Sequence, residues 1–145
     1  MKKMGFGIPE WEQVVLEADS TNLEFRSDIN NDGGIDTVEY YVGTVSELAH
    51  TPNPDDRFLY RKVNGSPTSG FRVGSISIFN FAYLDQDGKS VDISNPSNFV
   101  AIKMIRITLK VESQSVYGSD PNPDKEECRI AYWQQTRLVS RNLRR

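Results

Sequence analysis

Between Ala101 and Glu112 the residues Ile105, Ile107, Leu109 and Val111 alternate with Arg106, Thr108, Lys110 and Glu112. Successive side chains of a strand point to opposite faces, so this segment has one dry face and one wet one. A parallel sheet, buried on both faces, reads as a continuous apolar run; strict alternation belongs to an antiparallel sheet covered on a single side. The neighbouring segments agree. Leu23-Glu24-Phe25-Arg26 alternates, and Thr37 to Val42 is β-branched and aromatic, with the turn Asn30-Asn31-Asp32-Gly33-Gly34 between them. Phe58 to Val63 reads as a third strand and Ser75 to Leu84 as a fourth. The apolar parity of the fourth slips at Ile78/Phe79, which marks either a bulge or a strand covered on both faces. Asp85-Gln86-Asp87-Gly88 turns the chain into a short return strand around Ser90 to Ile93, and a final strand runs from about Arg129 to Val139.

The one helix expected lies near the N-terminus. Pro9 suits a first helical position, and Trp11, Val14, Val15 and Ala18 recur at i, i+3, i+4 and i+7 before Asp19-Ser20-Thr21-Asn22 stops the run. Gly43 to Asp56, Asn64 to Gly70 and Ser113 to Glu127 read as loops. Two of them carry Pro-Asn-Pro-Asp, at Pro52 to Asp55 and Pro121 to Asp124, which is turn chemistry rather than a repeat.

Composition bounds the function. The 145 residues make one domain, with 37% apolar and 26% charged residues, those of an ordinary soluble globule. The longest uncharged stretch, Val73 to Leu84, is twelve residues and too short to cross a bilayer as a helix. One Cys excludes an internal disulfide framework and a Cys-rich zinc site. Cys128 and the single His, His50, are the one pair that could serve as nucleophile and base. Glu126 and Glu127 beside Cys128 oppose a thiolate, and no phosphate loop, G-x-S-x-G or H-E-x-x-H is present. No enzyme activity, catalytic residue or small-molecule substrate is expected. All twenty acids lie before Cys128, and five Arg follow it. Arg129, Tyr132, Trp133, Arg137 and Arg141 could form a basic aromatic platform, but the acidic remainder argues for a solvated strand and against nucleic acid.

The sharpest local pattern runs from Asp28 to Glu39. It fits positions 1, 3, 5, 6, 8, 9 and 12 of a calcium-binding EF-hand loop, in which alternating Asp and Asn on a tight bend converge oxygens on one ion. The flanks, Phe25-Arg26 and Val38 to Val42, prefer strand to helix. A strand puts Asp36 and Glu39 on opposite faces, so a true EF-hand is not expected. Two readings stay open: a weak Ca²⁺ site, with Kd on the order of 10⁻⁴ to 10⁻³ M, or a hairpin turn that needs no ion. The candidate ligands are Asp28, Asn30, Asp32, the carbonyl of Gly34, and Asp36; no other cofactor is expected.

The order of these segments is similar to that of minor type IV pilins and type II secretion pseudopilins. Met4-Gly5-Phe6-Gly7-Ile8-Pro9 resembles the segment that follows their long N-terminal helix. Ala18 … Asn22 to Gly33 … Val38-Glu39-Tyr40-Tyr41 resembles their first hairpin, as do Leu59-Tyr60-Arg61 and Phe81 to Gly88 their later strands. Ile102 to Glu112 resembles the long central strand, and Arg141-Asn142-Leu143-Arg144 the ending. The resemblance implies an α+β fold, a pilin-like antiparallel sheet head with a short N-terminal helix, over residues 1–145. It also implies that the native apolar helix, which reaches the inner membrane, lies outside this chain.

On this resemblance the function is that of a structural minor subunit of a type IV pilus or type II secretion pseudopilus. Its partners are other pilin or pseudopilin subunits, and it sits in the bacterial cell envelope, anchored at the inner membrane with a periplasmic or extracellular head. The competing reading is a secreted β-rich binding module, for carbohydrate or a similar ligand, with a structural calcium site. It rests on the acidic loop and on Trp11, Tyr117 and Trp133 as candidates for exposed aromatics.

Overall fold

The computed structural model describes residues 4–51, 53–116 and 129–138. Among the described residues seven strands follow one another in space in the order they have in sequence, every neighbouring pair antiparallel. They are β1 (Val15–Ala18), β2 (Asn22–Ser27), β3 (Asp36–Val42), β4 (Arg57–Val63), β5 (Ser66–Leu84), β6 (Met104–Val116) and β7 (Arg129–Leu138). Two short 3₁₀ segments, Val45–Leu48 and Pro96–Ala101, fill connections.

The α+β expectation is therefore corrected to a mainly antiparallel β fold. Among the described residues no helix reaches seven residues, and the expected N-terminal helix is absent. Pro9 starts a single turn, closed by the Glu12 amide donating to the Pro9 carbonyl at 3.0 Å, and the turn is not continued. Beyond it, Val15 pairs with Phe25 but Glu17 pairs with Glu24, so Leu16 is one residue too many on that edge. This bulge reverses the parity and buries both Val15 and Ala18, which imitates the i, i+3 spacing of a helix.

The parity slip foreseen in the fourth strand is also a bulge. Ile76 pairs with Val111 and Ile78 with Lys110, which leaves Ser77 extra. Ile76 is consequently buried while Ile78 is exposed, and Phe79, Phe81 and Tyr83 resume the inner face. The stretch Asn64 to Gly70, read as a loop, is mostly strand. Asn64 and Gly65, at φ 50° and 76°, form a two-residue turn, and Val63 pairs directly with Ser66. The expected return strand around Ser90 to Ile93 reduces to one bridge between Leu84 and Ser90.

The sheet curls. The Phe81 amide donates to the Ser20 carbonyl at 2.7 Å and the Val42 amide to the Thr21 carbonyl at 3.2 Å. The β1–β2 turn thus plugs the gap between the end of β3 and the far half of β5. The Tyr83 hydroxyl sits 2.8 and 2.9 Å from the Asp19 and Asn22 carbonyls and locks that turn in place. Inside the curl, Leu23, Phe25 and Val38 meet Phe81, Tyr83 and Ile105, and Met4, Val15, Phe99 and Ile102 roof them.

Candidate functional site

The acidic loop between β2 and β3 is built around Asp28, which is only 4% exposed. One of its carboxylate oxygens accepts from the amides of Asn31 (2.6 Å) and Asp32 (3.2 Å), the other from Gly33 (3.0 Å). Asn31 and Gly33 at φ 65° and 85° turn those amides inward. The N-terminal segment packs on the same residue: the Asp28 amide donates to the Phe6 carbonyl at 2.8 Å. Gly7 sits at φ 77°, a backbone angle that strains any other residue, and a Cβ there would lie a tight 3.0 Å from Asp28 Cβ.

Asp32 and Asp36 are engaged in the same way. Asp32 accepts from Asn30 Nδ2 at 2.8 Å and from the Gly34 amide at 2.7 Å. Asp36 accepts from Asn64 Nδ2 at 2.8 Å and from the Ile29 amide at 3.3 Å, while Asn64 Oδ1 accepts the Thr37 amide. The loop thus brings Asp28, Asn30 and Asp32 into one hydrogen-bonded knot and ties Asp36 to the β4–β5 turn. Glu39 lies on the opposite face of β3 and pairs with Lys62 at 3.1 Å. Among the described residues no group of three or more His, Cys, Asp or Glu is placed to hold a metal ion. Amide donors aimed at the Asp28 and Asp32 carboxylates hold this loop in its turn.

A second polar cluster escapes any reading of the alternation. Glu112, on the wet face of β6, has a side chain only 1% exposed. It accepts from Lys110 Nζ at 2.8 Å, Asn53 Nδ2 at 2.9 Å and Ser77 Oγ at 3.0 Å. Burial alone would raise its pKa; the hydrogen bonds from Lys110, Asn53 and Ser77, with the Lys110 charge, hold it below the usual value. Asn53 also accepts the Asp55 amide on its side chain and the Asp56 amide on its carbonyl. The cluster therefore pins the β3–β4 connection onto the outer face of the sheet. The Ser77 bulge is what delivers the hydroxyl.

The rest of the outer face is a band of aromatic and charged residues. Tyr41 and Tyr60 stack with centroids 5.1 Å apart, Lys62 Nζ lies 4.2 Å over the Tyr41 ring, and Tyr60 donates to Glu47 at 3.1 Å. Glu24, across from Glu39, has its pKa raised by burial and by the charges of Glu39 and Glu17.

At the N-terminal end a groove of about 440 Å³ opens between residues 8–15 and the segment from Phe99 to Lys103. Trp11, one of the aromatics expected on the surface, stands at its rim 83% exposed. His50 is exposed in the β3–β4 connection. Cys128, Tyr117 and Arg141 lie outside the described residues. Arg129, Tyr132, Trp133 and Arg137 occupy register positions along β7, with Tyr132 opposite Val111 and Trp133 opposite Lys110. No helix of the described residues is long and apolar enough to cross a membrane. No protein-family model, curated protein or solved structure matches the chain.

Proposed function

We propose that this chain is the head of a structural minor subunit of a cell-envelope filament, a type IV pilus or a type II secretion pseudopilus. It works by assembling with other pilin or pseudopilin subunits and not by catalysis. The order of the segments from Met4 to Leu143 supports the reading, on the resemblance drawn above. The observation that carries it is the uneven cover of the inner face. Leu23, Phe25, Phe81, Tyr83 and Ile105 are roofed by the chain's own Met4, Val15, Phe99 and Ile102. Further along the same face Phe79, Ile107, Leu109 and Val111 remain half-buried. An apolar strip continuous with a core is the surface an assembling subunit uses.

The test is genetic. Deleting the gene in the bacterium that carries it should abolish or shorten surface filaments, or block type II secretion, with recovery on re-expression. Normal filaments together with normal secretion in the deletion strain would overturn the reading.

A further inference from the structure

We propose that the groove beside Trp11 is a binding site for an uncharged oligosaccharide. Trp is rarely left open to water on a folded domain, because its ring is the largest apolar side chain available for burial. Here Trp11 is 83% exposed and Val100, on the facing wall, 67% exposed. The space between them, about 440 Å³, falls in the range of small-ligand pockets, roughly 300–1,000 Å³. Its floor is firm: Ile8, Val15, Phe99 and Ile102 are all buried. Its rim is held as well. Glu12 pairs with Arg26 at 3.2 Å, and Gln13 Nε2 donates to the Val15 carbonyl at 2.6 Å. A site whose walls are tied to the sheet before a ligand arrives loses little order on binding.

The lining chooses the ligand class. An apolar helix or strand from a partner would need continuous apolar walls, whereas Glu10, Glu12, Gln13 and Lys103 interrupt these. A pyranose ring fits such a mixture. One of its faces is a patch of C–H groups that rests on the electron-rich face of an indole, and its edge is a ring of hydroxyls. Carboxylates accept from those hydroxyls and an ammonium donates to them. Glu10 and Glu12 stand against Lys103 in the lining, with Glu12 already paired to Arg26, so the groove offers no surplus positive charge to hold a uronic or sialic carboxylate. The groove is independent of the filament reading: a subunit that binds no sugar can still assemble.

The experiment follows the Trp11 indole N–H by NMR, and the intrinsic fluorescence, of the purified chain titrated with cellotriose, chitotriose and maltotriose. The expected result is a saturable change with at least one of them below about 20 mM and none with trigalacturonic acid. Trp11→Ala should weaken that binding about tenfold or more, and Trp11→Phe, which keeps a ring, should retain most of it. Since Trp11 packs on little, both variants should melt with the native protein. No response to any of the three neutral sugars, equal binding by Trp11→Ala, or a preference for the acidic trisaccharide would each overturn the proposal.

Discussion

Replacing Glu112 by Ala should cost more than any surface position of its kind. The residue sits on the face of β6 that the alternation marks as wet, where truncation ordinarily changes stability by less than about 0.5 kcal/mol. Here the carboxylate is 1% exposed and accepts three hydrogen bonds, from Lys110, Asn53 and Ser77. A hydrogen bond to a charged group contributes roughly 1.5–3 kcal/mol, and removing one partner of a buried pair about 3–5 kcal/mol. Asn53, only 7% exposed, would keep a donor with no acceptor. We therefore expect Glu112→Ala to lose about 3–5 kcal/mol, read as a fall of about 2 M in the urea midpoint. Glu112→Gln keeps one acceptor oxygen and should lose about 1–2 kcal/mol. Hydrogen exchange should locate the damage, with the Asp55 and Asp56 amides, both held by Asn53, losing protection. The pH dependence has a definite sign. The folded pKa lies below the ordinary glutamate value of 4.5, so the stabilisation is complete above that value and fades as pH falls through the folded one. The acid limb of the native curve should flatten in Glu112→Gln. A loss under about 0.5 kcal/mol in Glu112→Ala, or unchanged exchange at Asp55 and Asp56, would refute the reasoning.

Three further perturbations probe other parts of the fold. Tyr83→Phe removes the hydroxyl that holds the β1–β2 turn and should cost about 1–2 kcal/mol in chemical denaturation, with exchange accelerating at the Phe81 amide. Asp28→Ala strips three backbone amides of their acceptor and should cost about 2–4 kcal/mol in chemical denaturation, with exchange accelerating at the Asn31 and Gly33 amides. Glu24→Gln should raise the melting temperature at pH 7 and leave it unchanged near pH 4. Burial, Glu39 and Glu17 raise the Glu24 pKa in the folded state, so its charge costs stability only above the unfolded value.

Six of the seven described strands were legible, β5 only from Ser75 on, because period-2 alternation is a direct image of a one-sided sheet. The parity slip at Ile78/Phe79 was legible too, as either a bulge or a strand covered on both faces, and the extra residue Ser77 is its cause, since it must flip the apolar parity of everything after it. The same physics defeated the reading of β1: an extra residue at Leu16 puts Val15 and Ala18 on one face, and four residues are too few to show a period resuming. The opening of β5 was hidden by composition, as Ser66 to Gly70 holds Ser, Pro, Thr and Gly. The Asn64-Gly65 dipeptide was the available signal for a tight hairpin. The acidic loop was placed correctly as a turn, and Asp36 and Glu39 do fall on opposite faces. Its hydrogen bonds were not legible, because whether a carboxylate meets an ion or an amide depends on backbone angles at Asn31 and Gly33. Glu112 was beyond reach for a different reason: the partner that buries it, Asn53, is 59 residues away.

The filament reading stands or falls on what touches the half-covered inner face. The direct measurement is site-specific photo-crosslinking from position 109, replacing Leu109 in the full-length protein in its own bacterium. Position 109 lies on the same face as Ile105 and Ile107 but further from the roofed core. The account predicts covalent adducts to other pilin or pseudopilin subunits, lost when the photo-reactive residue is moved to position 108 on the outer face. Adducts that form equally from position 108, or none to any filament subunit, would contradict it.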